Sequence, residues 1–239
     1  MKISVVIPMY NEEKIIKNTI KTVSDYMKEH FSEKDYEILF VNDGSQDRCG
    51  EIVAACGMDE VKLVSYGENR GKGYAIRQGV MAALGDVVMF TDCDLAYGTA
   101  VIGEFYEALA DKKFDIAVGS RPKHPDGYAG YTVIRKLVSR AYLSVLRLFG
   151  GLSLSDSQCG CKAFSGDIAK RIFSYCEIDR FAFDFEAILL GQRIGASFLE
   201  IPVTVINHGE SKVNIIRDTL RMLSDLRRMK KRIKKLDIV

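Results

Sequence analysis

The sequence predicts one α/β domain built on a parallel β-sheet that is flanked by helices. Short apolar runs rich in Val and Ile alternate with longer amphipathic stretches, and the connections between them are short, which is the pattern of βαβ units. The chain has 239 residues and is 47% apolar. It can therefore bury one large core, but it is short for two full domains.

The expected elements follow one another in strand and helix order from the N-terminus. The first strand, Ile3–Ile7, is a β-branched run that stops at Pro8, and a helix follows from about residue 13 to 30. Strand Glu37–Val41 comes next and ends in turn residues. The remaining elements are helix Glu51–Cys56, strand Val61–Ser65, loop Tyr66–Gly73, helix Tyr74–Leu84 and strand Asp86–Thr91.

Polar residues lie directly after each of these strands. In a parallel sheet, ligands bind beyond the carboxyl ends of the strands. We therefore expect four strand ends to converge on one ligand site. The residues concerned are Asn11 and Glu12, Asp43, the loop 69–73, and Asp92 with Asp94.

The pair Asp92 and Asp94 is the strongest candidate for a metal site. A strand of alternating faces would point both carboxylates the same way, and Mg²⁺ or Mn²⁺ binds carboxylate oxygens while sharing its other positions with substrate phosphates. The pair therefore indicates a site for a diphosphate. The alternative is that one Asp caps the next helix and the other is solvated.

The glycine-rich loop at residues 67–73 does not match either common phosphate-binding motif. A dinucleotide fingerprint would need glycine at position 76, which is Ile76, and a Walker loop would need Ser or Thr in place of Gly73. The loop does carry Arg70, Gly71 and Lys72 at a helix N-terminus. Backbone N–H groups and two cations in that position suit a nucleotide diphosphate.

Composition argues against several classes of protein. The six cysteines are scattered without a CxxC pair, which speaks against a zinc site or a disulfide scaffold, and the close pair Cys159 and Cys161 is expected to stay reduced. The sequence has no signal-peptide pattern and no apolar stretch near the ~18 residues of a spanning helix. A cytoplasmic protein, soluble or peripheral to a membrane, is expected.

The C-terminal residues 215–239 predict a basic amphipathic helix. They hold nine Lys or Arg against three Asp, a balance of +6, whereas the whole chain carries +2. An apolar stripe is formed by Met222, Leu226, Met229, Ile233 and Leu236. Such a helix can lie on an anionic membrane surface, or it can pack on the body or form a short coiled coil with its basic face solvated. Nucleic acid is not expected, because no basic stripe interleaved with aromatics occurs elsewhere.

Taken together, these motifs resemble the family 2 glycosyltransferases with the GT-A fold. The residues that carry the resemblance are Pro8-Met9-Tyr10-Asn11-Glu12, Asn42-Asp43-Gly44-Ser45-Gln46-Asp47, Asn69-Arg70-Gly71-Lys72-Gly73 and Asp92-Cys93-Asp94. Later segments are similar to the polyprenyl-phosphate branch, above all to dolichyl-phosphate glucosyltransferases and also to dolichyl-phosphate mannose synthases. These segments are Gly119-Ser120-Arg121, Arg135-Lys136-Leu137, residues 156–162, residues 181–186, residues 200–203 and Ser211-Lys212-Val213.

The resemblance spans roughly residues 3–225 and implies a domain organisation. A single Rossmann-like GT-A domain, with a mostly parallel, mixed sheet flanked by helices, would occupy residues 1–214. It would have a nucleotide-sugar half at 1–120 and an acceptor half at 121–214. The basic helix at 215–239 would follow it.

The resemblance also implies roles for the matching residues. Pro8, Tyr10, Asn11, Glu12 and Asp43 would hold the nucleoside, with Asp43 accepting from the uracil N–H, and Arg70, Gly71 and Lys72 would meet the diphosphate. Asp92 and Asp94 would carry Mg²⁺ or Mn²⁺. Arg121 and Arg135, with Arg140, would grip the acceptor phosphate. Asp184 and Glu186 are the reserve acid, base or metal candidates.

The implied activity is inverting, metal-dependent transfer of a hexose, with glucose from UDP-glucose favoured, to polyprenyl phosphate at the cytoplasmic face of a membrane. A phosphate oxygen is already anionic, so it needs no strong base. Two alternatives stay open, namely transfer to a saccharide hydroxyl in cell-surface polysaccharide synthesis and a non-catalytic nucleotide-sugar-binding scaffold. Asn42 departs from the Asp of many relatives. The transmembrane segments common in the branch are absent, so membrane contact would come from the basic tail or a separate membrane protein.

Overall fold

The computed structural model describes residues 1–129, 154–207, 225–226 and 228–236. Its strands are β1 (Ile3–Met9), β2 (Tyr36–Asp43), β3 (Val61–Tyr66), β4 (Val87–Phe90), β5 (Ile116–Ser120), β6 (Lys162–Ser165) and β7 (Phe198–Pro202). Its helices are α1 (Glu13–His30), α2 (Cys49–Ala54), α3 (Lys72–Ala82), α4 (Ala100–Ala110), α5 (Gly166–Tyr175) and α6 (Phe183–Arg193), with a 3₁₀ helix at Arg121–Lys123.

These strands form one sheet in the order β3-β2-β1-β4-β6-β5-β7. Pairing is parallel from β3 through β4 and between β5 and β7. Strand β6 enters between β4 and β5 and is antiparallel to both. The sheet is mostly parallel and mixed, which confirms the predicted fold class. Strands β6 and β7 come from the predicted acceptor half, so both halves share one sheet, while the predicted boundary at 214 and 215 lies outside the described residues.

Strand register places the ends of β1, β2 and β3 side by side. Met9 pairs with Asn42 and Asp43 pairs with Tyr66, so these three strands stop at one edge. Strand β4 is short, and its last residue pairs with Val6. The residues that follow β4 therefore reach the same edge of the sheet.

Alternating side chains along the strands build a hydrophobic core on each face of the sheet. On one face, Val6 and Phe90 pack with α3, α5 and α6. On the other, Val5 and Phe40 pack with α1 and α4. Because both faces are covered, the central strands are continuous apolar runs rather than alternating ones.

The helix boundaries agree with the prediction for α1 and differ for α3. Helix α1 spans Glu13–His30, whereas α3 begins at Lys72, ahead of the predicted start at Tyr74. Glycine is a poor helix former, so the sequence pattern placed the start after Gly73. Lys72 consequently lies in the first turn of a helix rather than in the loop.

The C-terminal helix packs on the body of the protein. Residues 225–226 and 228–233 are helical, and Leu226, Met229 and Ile233 are buried in the core that holds α3, α5 and α6. Of the arrangements that the sequence left open, packing on the body is the one that these residues adopt, and Leu226, Met229 and Ile233 are covered by protein rather than available to a membrane. Met222 lies outside the described residues. Among the helices of the described ranges, none has the length and apolar character needed to cross a membrane.

Candidate active site

Asp43 ties the end of β2 to the loop that precedes α3. Its side chain is buried, and Oδ1 accepts from the Tyr66 hydroxyl and the Arg70 N–H, each at 2.8 Å. Oδ2 accepts from the Asn69 amide and the Gly71 N–H, each at 2.9 Å. One carboxylate thus accepts hydrogen bonds from three consecutive residues of the loop, Asn69, Arg70 and Gly71. The contact predicted from Asp43 to a nucleobase would share the same oxygens.

In the first loop, the predicted nucleoside residue Asn11 contacts the turn that follows Asp43. Asn11 has a positive φ of 53°, which asparagine tolerates better than most residues. Its N–H donates to Ser45 Oγ at 3.0 Å, and its side chain accepts from the Gln46 N–H at 2.8 Å. These bonds join the end of β1 to the end of β2. Tyr10 is partly exposed next to this junction.

Pro8 and Glu12, the other two residues predicted for the nucleoside in this part of the chain, lie near the end of β1 and just before α1. Pro8 lies within β1 opposite Val41. Glu12 precedes α1, and its carbonyl oxygen accepts from the N–H groups of Ile15 and Ile16.

Lys72 and Asp92 form an ion pair between α3 and the end of β4. Burial opposes the charged form of Lys72, but the carboxylates of Asp92, Asp184 and Asp94 outweigh it and raise the pKa of this ammonium. One cation therefore faces three acidic side chains. In this structure Lys72 is the cation that pairs with Asp92.

Asp94 follows Asp92 in a tight turn. Leu95 has a positive φ of 50°, and Asp94 Oδ1 accepts from the Ala96 N–H at 3.1 Å. Asn207 donates its side-chain N–H to the Asp94 carbonyl oxygen at 2.7 Å. Burial and the charge of Asp92 raise the pKa of Asp94, and the Lys72 cation offsets them only in part.

The donor set around Asp92 and Asp94 fits a divalent ion that is shared with substrate. In the described part of the chain, no cluster of three or more His, Cys, Asp or Glu side chains could hold a metal. Two carboxylates with substrate phosphate oxygens and water are a usual set for Mg²⁺. Gly160 makes room there, because a Cβ at this position would lie 2.0 Å from Asp92 Oδ2.

Asp184 reaches the site from the first turn of α6 and is held by a lysine that sequence reasoning missed. Lys162 is fully buried, and its Nζ donates to Asp184 Oδ1 at 2.6 Å and to the Cys159 carbonyl oxygen at 2.7 Å. Burial raises the pKa of Asp184, although Lys162 and Lys72 oppose this. Lys162 is the first residue of a short apolar strand. A charged residue in such a position is the feature of the sequence that could have indicated a buried partner for Asp184.

Arg121 lies in a buried ion pair. Its Nε donates to Asp156 Oδ2 at 2.6 Å and its Nη2 donates to Asp156 Oδ1 at 2.9 Å. That edge of the guanidinium is therefore used within the protein, and a role toward an acceptor phosphate stays a prediction. Arg135, Arg140 and Ser211-Lys212-Val213 lie outside the described residues.

Glu186 is not a reserve base or metal ligand. Its side chain is fully buried, and its carboxylate accepts from the N–H groups of Glu177 and Ile178 and from Arg232. Protein donors enclose both oxygens. The prediction fails here because the sequence motif does not show that Asp184 and Glu186, two positions apart on a helix, meet different surroundings.

Comparison with curated proteins finds relatives that are named as glycosyltransferases. The glycosyltransferase AglD of Haloferax volcanii is 32% identical over 95% of this chain, which covers 37% of AglD. A dolichyl-phosphate beta-glucosyltransferase of Trichomonas vaginalis is 32% identical over 92% of this chain and 68% of its own length. The human dolichyl-phosphate beta-glucosyltransferase is 29% identical over 94% of this chain and 74% of its own length.

Comparison with solved structures and family models agrees with the fold. Glucosyl-3-phosphoglycerate synthase from Mycobacterium tuberculosis, in complex with Mn²⁺, UDP and phosphoglyceric acid, superposes with a TM-score of 0.72 at 18% identity, covering 98% of this chain and 79% of that one. This likeness supports the GT-A fold. The family model described as "Glycosyl transferase family 2" matches residues 4–173. The chain therefore belongs to glycosyl transferase family 2.

Proposed function

We propose that this protein is an inverting, metal-dependent glycosyltransferase that moves glucose from UDP-glucose to a polyprenyl phosphate at the cytoplasmic face of a membrane. The observation that carries the proposal is the gathering of Asp43, Lys72, Asp92 and Asp94 at one edge of the sheet. Relatives named dolichyl-phosphate beta-glucosyltransferases support glucose as the sugar and a lipid phosphate as the acceptor.

The donor diphosphate would lie against residues 69–71 and Lys72. Asp43 already holds the N–H groups of Arg70 and Gly71, so the loop is ordered before the donor arrives, and less conformational entropy is lost on binding. The Lys72 ammonium would turn from Asp92 toward a phosphate oxygen. Exchange of one anionic partner for another keeps the lysine paired throughout.

Asp92 and Asp94 would hold Mg²⁺ or Mn²⁺ together with oxygens of the diphosphate. When bound, such an ion neutralises the charge that develops on the departing nucleotide. The raised pKa of Asp94 supports this role, because a carboxylate crowded by burial and by Asp92 gains most from an added cation.

Transfer would proceed by in-line displacement at C1 of the sugar. An anionic oxygen of the acceptor phosphate forms the new bond to C1 while the bond from C1 to the diphosphate oxygen breaks, and the electron pair leaves with UDP. The nucleophile loses no proton, so orientation and charge neutralisation supply the rate enhancement. Arg121 and Arg135 would orient the acceptor phosphate, Arg121 from the fixed position that Asp156 gives it.

Membrane contact would use the basic face of the C-terminal helix. Lys231 is exposed on this helix, and Lys234 and Lys235 are exposed in the turn that follows it. Clustered lysines are attracted to anionic lipid head groups. Leu226, Met229 and Ile233 would take no part, since the body covers them. A separate membrane protein is the other candidate for recruiting the enzyme to its lipid substrate.

A saccharide hydroxyl is the second candidate acceptor, and Asp184 is the observation that favours it. A hydroxyl must lose a proton as it attacks, so this reaction needs a general base. Burial raises the pKa of Asp184, which makes this carboxylate a stronger base.

The test is transfer of labelled hexose from UDP-glucose, GDP-mannose or UDP-GlcNAc to a short-chain polyprenyl phosphate, with Mg²⁺, Mn²⁺ or EDTA. We expect metal-dependent lipid-linked product from UDP-glucose. Asp94→Asn should remove that product, whereas Asp111→Asn, at an exposed carboxylate that pairs with Lys113, should not. Product on saccharides alone would favour the hydroxyl acceptor, and product in EDTA would contradict the metal-dependent proposal.

A further inference from the structure

The loop that would receive the donor diphosphate rests on residues 176–180, between α5 and α6. The Tyr74 N–H donates to the Asp179 carbonyl oxygen at 3.1 Å. A Cβ at Gly71 would lie 2.6 Å from that same oxygen, and a Cβ at Gly73 would lie 2.4 Å from the Ile178 carbonyl oxygen. Backbone therefore meets backbone, and neither segment can shift without moving the other.

Side chains reinforce this contact from the loop and from α3. Arg77 donates to the Cys176 carbonyl oxygen at 2.9 Å and to Asp179 Oδ1 at 2.7 Å. The Arg70 guanidinium lies 3.6 Å from Asp179 Oδ2 and stacks 4.0 Å from the centre of the Tyr74 ring. Residues 176–180 thus form a support on which the phosphate loop and the start of α3 are seated.

The far side of this support is held by the buried carboxylate of Glu186. Oε2 accepts from the Glu177 N–H at 2.9 Å and from the Ile178 N–H at 2.8 Å. A carboxylate buried this deeply needs a cation nearby, because its desolvation is costly. The cation comes from the C-terminal helix.

Arg232 supplies that charge. Its Nη2 donates to Glu186 Oε1 at 2.5 Å and to the Tyr175 carbonyl oxygen at 2.8 Å, and its Nη1 lies 2.9 Å from Glu177 Oε1. Met229 and Ile233, on the same helix, are buried in the core. The pairing is therefore anchored by packing on either side of the arginine.

We propose that Arg232 and Glu186 are positioning residues for the donor, which hold residues 176–180 against Gly71–Gly73 and so keep Lys72 and its loop in the geometry that binds a nucleoside diphosphate. The inference rests on the proposed function, because that function places the diphosphate at this loop. It assigns the C-terminal helix a part in donor binding that is separate from any contact with a membrane.

The test is the affinity of the full-length protein for UDP with Mn²⁺, measured by calorimetry without acceptor. Arg232→Ala should weaken UDP binding by about 2- to 30-fold, the range of couplings carried through packed networks. Arg232→Lys keeps the charge but loses the fork geometry, so it should fall between Arg232→Ala and the unmodified protein. The matched control is Arg228→Ala, at an exposed arginine of the same helix that pairs with Asp225, and it should bind UDP normally.

Kinetics separate positioning from a general loss of structure. For Arg232→Ala, KM for the nucleotide sugar should rise while KM for the acceptor stays unchanged. Should this variant fail to fold, Arg232→Lys and Asp179→Asn decide the matter, since each disturbs the support more mildly. Unchanged UDP affinity in the folded variants would overturn the inference. Absence of UDP binding by the unmodified protein would instead overturn the proposed function.

Discussion

Replacing Gly160 with alanine should displace the carboxylate of Asp92 while leaving the rest of the fold in place. The added Cβ would lie 2.0 Å from Asp92 Oδ2 and 2.9 Å from its Cγ, whereas real Cβ atoms essentially never come within 3.0 Å of another heavy atom. The two groups must therefore separate by about 1 Å. Gly160 has little freedom to move, because its N–H donates to the buried Tyr97 hydroxyl at 3.2 Å and its neighbours Cys159 and Cys161 are fully buried.

The shift falls on Asp92, which is partly exposed and is paired with Lys72. A misplacement of about 1 Å in a catalytic site can cost about 100-fold in rate, and we expect a loss of that order in hexose transfer. In the presence of UDP, the variant should bind Mn²⁺ more weakly than the unmodified protein does, so that a higher Mn²⁺ concentration is needed to saturate it. Thermal unfolding should change little. The matched control is Gly67→Ala, where a Cβ would meet nothing within 4 Å. Full activity of Gly160→Ala at ordinary Mn²⁺ concentration would refute the assignment of Asp92.

Three further substitutions test the remaining parts of the site. Asp94→Ala should abolish transfer. Its melting temperature should stay the same or rise, because burial and the charge of Asp92 already disfavour the Asp94 carboxylate. Loss of secondary structure, measured by circular dichroism, would count against a metal role. Asp43→Asn removes charge-assisted bonds worth about 1.5–3 kcal/mol each, so both urea stability and UDP affinity should fall, and a change in stability alone would mean that the loop does not bind the donor. Arg121→Met should cost about 3–5 kcal/mol near neutral pH, since it strands the buried Asp156. The Arg121 guanidinium outweighs burial and lowers the pKa of Asp156, so the stability of this pair is present above the unfolded carboxyl pKa of about 4 and is lost as pH falls through the lower folded value. The difference in free energy of unfolding between the variant and the unmodified protein, measured in urea, should become smaller in acid. A difference that does not change with pH would mean that the Arg121–Asp156 ion pair is not its cause.

The first half of the fold could be predicted because its information is local. Strands β1, β2 and β4 are apolar runs bounded by turn residues, and parallel pairing then brings Asn11, Asp43 and Asp92 to one edge without further knowledge. Strand β6 could not be placed in the same way. It has four residues, begins with the charged Lys162, and inserts between β4 and β5 in the antiparallel sense, an arrangement set by contacts far apart in the sequence.

The same distinction separates the site residues that were predicted from those that were missed. Lys72 and Asp92 stand in recognisable loops, and the structure pairs them. Lys162 and Asp179 act through partners that are distant in the chain, namely Asp184 for the first and Arg77 for the second. A sequence pattern can indicate the chemistry of a residue, but it gives no distance to a partner that another strand or helix supplies.

The C-terminal helix shows why amphipathicity does not identify the surface that a helix meets. A stripe of Leu, Met and Ile at helical spacing stabilises a helix equally against lipid or against protein, because both remove about the same apolar area from water. Here a polar contact decides between them. Arg232, which lies between Met229 and Ile233 in the sequence, donates to the buried carboxylate of Glu186. If the helix moved to a membrane, this carboxylate would stay buried without its cation, which is strongly destabilising. The ion pair therefore fixes the helix to the body, and within the described residues the lysine-rich side of this segment stays exposed.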